Sequence, residues 1–408
     1  MESLSCILPS DIMVKILASL PARSLVRFRC VSKSWRSLLS EPYFLTMWMN
    51  RSGTTLLVVP LEWGNRDQCS LVFENVSIGV KKLKLPFGNR WFSLSVVGSS
   101  GDGALICLTG LSYVRRHESK QAVILWSPYT GKIKALGNEG CVQCRRWPVC
   151  TESLVQGYNS ACCNRYVVHG FGYEPNARDY KVVRITYSYG DVRQVYTLVR
   201  SWHVEVYSLG RETWKSLGRP NFTWTVRGNS RAFVNGSVHW LAAPYANACY
   251  SSIVAFNMKE ESFGDFIWLP RSDDLLQFSL NPRGNATLSV SCGSLALIAF
   301  GKWNREECGI WVMKEYGVAE SWTKQHHIVL PMGPVRAVLG LTGRGKMLLR
   351  MVDEKLVCCD VEDKQMNEVG IQGDSPDSSF DVIDLGGADP TLRNQAGGRS
   401  MLTITNLQ

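Results

Sequence analysis

Six residues between 141 and 169 are the first place to look for chemistry: Cys141 and Cys144 as a Cys-x-x-Cys pair, Cys150, the adjacent Cys162 and Cys163, and His169. Thiolates and neutral imidazoles are zinc ligands, and two thiolates at this spacing can share one tetrahedral ion. A structural zinc site needs a closed set of four, however, and an adjacent pair after a variable gap is not the usual second half of one. Nor does the spacing supply two interleaved four-ligand sets. The segment reads as an insertion loop carrying exposed thiols, with zinc the competing reading; no metal and no cofactor is expected.

Catalytic candidates are thin. The six histidines stand at 117, 169, 203, 239, 326 and 327. His239 lies inside an apolar run beside Trp240, where a core histidine is the simpler reading. No G-x-S-x-G elbow, H-E-x-x-H helix or P-loop occurs, and the glycines at 101, 103, 343 and 345 are too isolated to cradle phosphate. No catalytic residue is therefore assigned. Basic clusters at Lys81-Lys82-Leu83-Lys84, Arg115-Arg116 and Arg145-Arg146 fall on different units, so no continuous stripe for nucleic acid is indicated. With a net charge of +10, the chain favours acidic protein partners.

The elements that must carry any site fall into two kinds. The chain has 408 residues, 45% hydrophobic and 20% charged, enough for one large core and a small extra module. Its 14 cysteines are scattered through strand-like segments, which favours reduced thiols and a cytoplasmic or nuclear location. The apolar stretch 12–20 is broken by Lys15 and preceded by Asp11, so it is no secretion signal, and no run of 18 apolar residues could span a membrane.

In LPSDIMVKILASLP (8–21), apolar residues at 12, 16, 17 and 20 recur at helical spacing. This predicts a helix over 11–19, capped by Ser10 and stopped by Pro21. Leu25, Val26, Phe28 and Val31 predict a second helix, and Trp35, Leu38 and Leu39 a third. So short a chain rarely buries such a surface alone. Either it packs on the rest of the protein, or its remaining apolar face meets another chain.

From about residue 54 the pattern changes to short strands between polar turns. Hairpin units begin at 71, 122, 204, 253, 310 and 356, so their starts are 51, 82, 49, 57 and 46 residues apart. Four are preceded by a Gly-opened strand, at 101–108, 235–242, 292–300 and 343–351. Repetition of a four-strand unit at this period predicts a β-propeller of kelch type, with six blades expected and seven also compatible. The wide interval contains an insertion near 138–165 and a long hairpin near 186–202. Gly-, Asp- and Ser-rich residues 372–408 read as a flexible end.

The ordered set Leu8-Pro9, Ile12, Ile16-Leu17, Leu20-Pro21, Leu25, Val31-Ser32-Lys33 and Trp35-Arg36 resembles an F-box. The segments HGFGYEPNARDYKVVRI (169–185), VEVYSLGRETWKSLG (204–218), FVNGSVHWLA (233–242), IVAFNMKEESFGDFIWLP (253–270) and GIWVMKEYGVAESWTKQHHI (309–328) resemble the F-box-associated domain of plant F-box proteins, including F-box/kelch-repeat and S-locus F-box-like members. The resemblance implies an α+β multidomain chain: a small three-helix F-box over 1–50, an all-β kelch-like propeller over 54–371, and the flexible end.

It further implies a substrate receptor that docks on a Skp-type adaptor, and through it on a cullin, and holds a target protein for ubiquitination. Carried over by position, Leu8, Pro9, Ile12, Leu20, Pro21 and Trp35 would contact the adaptor. Ile16, Leu17, Leu25, Phe28 and Val31 would form the F-box core. Tyr180, Trp214, Trp240 and Trp322 would pack between strands, and the target-binding residues are not identified by it. The basic ribonucleases bound in the S-locus branch would be repelled by a basic chain, which favours the general F-box/kelch type. The alternative is a propeller enzyme or scaffold whose N-terminal helices pack internally.

Overall fold

The computed structural model describes residues 10–18, 28, 31 and 33–38 and, between 54 and 384, all but 61–67, 75–77, 85–92, 101–104, 116–117, 128–131, 137–164, 190–198, 223, 227, 229–231, 245–248, 271–274, 276–277, 281–285, 303–304, 343–344 and 373–379. Two helices precede the strands: α1 (Ser10–Ala18) and α2 (Lys33–Leu38). The expected middle helix is described only at Phe28 and Val31, where the Val31 N–H donates to the Phe28 carbonyl at 3.1 Å.

From Thr54 onward the described chain is an all-β propeller of antiparallel sheets. The first joins β1 (Thr54–Pro60), β2 (Gln68–Glu74) and β3 (Ile78–Lys84) to the last strand of the chain, β27 (Phe380–Asp384), in the order β27-β1-β2-β3. The second runs β4 (Ser93–Ser99), β5 (Ile106–Arg115), β6 (Glu118–Trp126), β7 (Ile133–Leu136). The third runs β8 (Arg165–Glu174), β9 (Asp179–Tyr189), β10 (Val199–Ser208), β11 (Thr213–Gly218). In the fourth, β12 (Thr225–Val226) and β13 (Ala232–Val234) pair with β14 (Ser237–Ala243), which pairs with β15 (Ser252–Asn257); β15 carries β16 (Ser262–Phe263) and β17 (Ile267–Trp268). In the fifth, β18 (Phe278–Ser279) and β19 (Ala286–Ser291) pair with β20 (Ser294–Gly301), followed by β21 (Glu307–Met313) and β22 (Trp322–Val329). The sixth runs β23 (Val335–Leu341), β24 (Lys346–Met351), β25 (Lys355–Asp360), β26 (Met366–Gln372). Innermost strands touch from sheet to sheet, and β23 meets β27 to complete the circuit.

Strand composition follows from position in this stack. The central β20, SLALIAFG, is buried on both faces after its first residue, because a sheet lies against each side of it. Its pattern is therefore a continuous apolar run. The outer β22, WTKQHHIV, alternates and keeps its polar residues wet. Cores lie between sheets: Val183, Ile185, Trp240 and Phe256 between the third and fourth, and Ile310, Ile328, Met347 and Leu349 between the fifth and sixth. The glycines of HGFGY have a steric reason. A Cβ at Gly170 would stand 2.7 Å from the Trp240 ring, and one at Gly172 would stand 2.4 Å from Phe233. Trp240 also donates its indole N–H to the His169 carbonyl at 3.3 Å, which ties the two sheets together.

The flexible-end expectation needs correction. Residues 380–384 form β27, pairing with β1 from Leu56↔Asp384 to Pro60↔Phe380. FDVID carries its own apolar residues, but it is too short to stand out from the polar sequence around it, and its partner lies more than three hundred residues upstream. No expectation based on local pattern could find that pairing.

Antiparallel pairing also assigns every turn to one of two ends. The chain enters at Thr54 on a near face. That face also holds the turns within 175–178, 235–236, 292–293, 209–212, 258–261 and 314–321. The ends of β20 and β24 and the start of β23 lie at the opposite, far face.

Two polar struts cross between sheets at the near face. Glu261 accepts from Lys181 at 2.9 Å and Lys215 at 2.6 Å, both on the third sheet. Burial opposes the charge of Glu261, but the two ammonium groups outweigh it and hold the carboxyl below its ordinary range. His239 is buried; its Nδ1 faces the Ala232 carbonyl at 3.2 Å, to which it can only donate, and its Nε2 lies 2.8 Å from the Tyr316 hydroxyl. Burial favours the neutral ring, in which Nε2 accepts from that hydroxyl.

Two outcomes are expected. A chain ending at residue 379 should show a broader thermal transition with Tm lower by on the order of 10 °C in calorimetry, since it lacks the strand that closes the circuit; an unchanged transition would show that closure lies elsewhere. The second concerns acid. Burial pushes His239 down to about 4 against hydrogen bonding to Ala232 and Ser237, so on acidification the unfolded chain takes up this proton near pH 6.5 while the folded chain refuses it. Stability from this group is complete above pH 6.5 and is lost toward pH 4, by about 3 kcal/mol in all. Denaturant titrations across that window should show a shallower decline in His239→Gln than in the natural sequence.

Candidate functional site

Helix α1, SDIMVKILA, is apolar nearly all round, so one packed face cannot cover it. Val14 and Leu17 are buried at 6% and 2% exposure. Ile12 and Ile16 remain 45% and 48% exposed, one helical turn apart on the same side. Lys15, beside the two isoleucines, is exposed. In the next described segment, Phe28 meets Trp35 edge to face with ring centroids 5.1 Å apart. Val31 is 66% exposed.

Of the residues expected at the adaptor, Ile12 is exposed; of those expected in the F-box core, Leu17 is buried while Ile16 and Val31 are exposed, and Val14, not singled out by the sequence, is buried too. The reason is helical phase. At 100° per residue, position 16 falls beside 12, while 14 and 17 share the opposite face. Trp35 is half-buried against Phe28, an internal contact. Leu8, Pro9, Leu20, Pro21 and Leu25 lie outside the described residues.

Residues of the longer motifs serve the scaffold. In the turn after HGFGYE, Glu174 accepts from the backbone N–H groups of Asn176 and Ala177 at 2.9 and 2.6 Å. Asp179 accepts from the Gly210 N–H at 2.7 Å, which fastens the next turn to it. Tyr180 packs on Phe171 and Tyr173, and Trp214 packs on Tyr207 beneath the Arg184 guanidinium, 4.1 Å from the ring. Trp240 and Trp322 are buried. Arg184 in turn pairs with Glu205 at 2.7 Å inside the third sheet.

The cysteine cluster at 141–163 lies outside the described residues, whereas His169 is buried in β8. Among the described residues no three His, Cys, Asp or Glu side chains gather as metal ligands. No helix of the described chain is long and apolar enough to cross a membrane. His239, the histidine weighed for catalysis, is held by Ala232 and Tyr316 as a link between sheets.

Comparison with known proteins adds to this geometry. Residues 5–47 match the family model for the F-box domain, and residues 72–391 match the one for the F-box associated beta propeller domain. The F-box protein At3g07870 of Arabidopsis thaliana is 28% identical over 80% of this chain and 74% of its own length. The F-box protein CPR1 of the same plant is 26% identical over 91% of this chain and 86% of its own length. The F-box/kelch-repeat protein At3g23880, also of that plant, is 24% identical over 78% of each. An oligogalacturonate lyase solved with manganese aligns over 76% of this chain and 71% of its own at 8% identity and a TM-score of 0.40, too remote to inform chemistry.

Proposed function

The chain belongs to the plant F-box proteins that carry an F-box-associated β-propeller, and from that membership we propose that it is the substrate-recognition subunit of a Skp–cullin–F-box ubiquitin ligase. The N-terminal module would dock on the Skp-type adaptor, and the propeller would hold a target protein within reach of activated ubiquitin. The observation that carries this reading is the exposed Ile12–Ile16 pair on a helix whose other face is already closed by Val14 and Leu17. Burying each large aliphatic side chain contributes roughly 1.5–3 kcal/mol before the costs of association are subtracted. Val31 would extend the same docking surface, joined by Leu8, Pro9, Leu20 and Pro21, with Trp35 holding the module together against Phe28.

On this reading the chain forms and breaks no covalent bond. Its contribution is proximity: a bound target replaces a bimolecular encounter with an effectively intramolecular one. We read the six sheets as six blades, the first closed by the chain's own last strand. From the scattered cysteines of the sequence we infer a cytoplasmic or nuclear setting. Cys107 and Cys308, each sealed in a core, are pushed far above the ordinary thiol range by burial, so they hold no reactive thiolate.

The test is adaptor binding. Full-length chain carrying Ile12→Glu and Ile16→Glu should bind a purified Skp-type adaptor at least about a hundredfold more weakly by calorimetry, as two desolvated aliphatic contacts become buried charges. Its thermal transition should stay in place, because both side chains are exposed beforehand. Undiminished affinity in that variant would refute the docking surface.

A further inference from the structure

The turn between β13 and β14 is the pair Asn235-Gly236, and no other Asn-Gly occurs in the 408 residues. Val234 pairs with Ser237, so the ladder leaves a loop of these two residues alone. Both have positive φ, 49° and 71°. Gly236 presents its backbone nitrogen with no side chain beside it, and a Cβ built there would meet nothing within 4 Å.

Asn235 is exposed, and its carboxamide makes no hydrogen bond to the described residues. The ladder joins Val234 to Ser237, which leaves the Gly236 N–H outside it. Asn257, directly across from Ser237 on β15, is the opposite case. Its Oδ1 accepts from the Lys259 and Glu260 N–H groups, each at 2.9 Å, and a methionine follows it. The Cys292-Gly293 turn between β19 and β20 has the same pair of positive φ values, 48° and 79°, without a carboxamide. Among the described residues, a free carboxamide, an unhindered following nitrogen and solvent therefore meet at Asn235.

We propose that Asn235 is a modification site, at which the chain deamidates itself through a succinimide. The Gly236 nitrogen gives up its proton and bonds to the side-chain carbonyl carbon of Asn235, Cγ. The Cγ–Nδ2 bond breaks, and Nδ2 departs with that proton as ammonia. Water then opens the ring: addition at Cγ restores the main chain and leaves aspartate, whereas addition at the backbone carbonyl carbon leaves isoaspartate, with the chain running through Cβ and Cγ. No electrons change hands, and water is the only co-reactant. Closing the ring takes Asn235 out of the left-handed region, so the turn must open first, a local event beside the three-residue strand β13. The two products act differently. Aspartate adds a charge at an exposed tip and keeps the turn, since Asp tolerates the left-handed region as Asn does. Isoaspartate adds a main-chain atom to a loop with room for two residues. It thereby disturbs what the hairpin holds, namely the Gly236 carbonyl accepting from the Met258 N–H at 3.0 Å and the Ala232 carbonyl 3.2 Å from His239 Nδ1.

The test incubates the folded full-length protein at mildly alkaline pH beside a synthetic peptide of residues 230–240 and follows both by mass spectrometry. The tryptic peptide 232–259 should gain the mass of an amide turned acid, with fragmentation placing the gain at residue 235 and chromatography separating aspartate from isoaspartate forms. The rate should rise with pH, because the attacking nitrogen must first lose its proton. It should lie within about a hundredfold of the peptide's rate, since a turn opens without the whole fold. Asn235→Asp, treated alike, should show no mass gain at that residue. Hydrogen exchange at 232–234 should be faster in the isoaspartate fraction than in Asn235→Asp, which separates the altered backbone from the added charge. Absence of conversion at residue 235 while the peptide converts, or conversion of Asn257 at an equal rate, would overturn the proposal.

Discussion

The pairing of β27 with β1 is the constraint on which the rest depends. Each sheet is apolar on both faces and can bury them only against two neighbours. A linear stack would leave two raw faces. Bringing the chain's last strand to its first makes the arrangement a circuit, so that the sheet containing β1 is completed from residues 380–384 and touches both the second sheet and the sixth. Continuous apolar strands such as SLALIAFG are stable only in that setting, because they need cover on both sides. The rigidity of the face turns follows: each is held at both ends by strands that cannot slide without exposing core.

The unit of this architecture was legible because it is local. Hairpins and Gly-opened strands recur with their own turn chemistry. Asn235-Gly236 and Cys292-Gly293 each place two successive residues at positive φ, the requirement of a tight hairpin turn. Packing glycines were visible as the motif HGFGY, although only the structure supplies their cause, the rings of Trp240 and Phe233. The closing strand escaped notice because its partner is distant in sequence. In the N-terminal module, spacing located the helix but not which of its apolar residues face inward. Ile16 and Leu17 are adjacent and equally apolar, and nothing in either residue says which is covered; the structure buries Val14 and Leu17 and exposes Ile12 and Ile16.

The arginine group was less accessible still. Arg305, Arg336, Arg350 and Glu354, joined by the Arg305 bond to the Arg336 carbonyl and by the pairing of Arg336 and Arg350 with Glu354, are dispersed over fifty residues on four separate connections or strands, with no spacing that marks them as a set. Only the register of the fifth and sixth sheets brings them together. The basic clusters that do stand out in the sequence, such as Lys81-Lys82, fall on different units. Run length is thus a poor guide to charge on a propeller, where neighbours in space come from neighbouring sheets rather than from neighbouring residues.

Glu261 and Glu354 tie elements of the scaffold together from sheltered positions. At the near face, Glu261 accepts from Lys181 and Lys215, and His239 meets Tyr316 and Ala232, so that neighbouring sheets are held to each other. At the far face, Glu354 is 3% exposed and holds Arg336 at 3.0 Å. Attraction between opposite charges is weak in water and grows as solvent is excluded, so each of these pairs gains its hold from the apolar core packed around it.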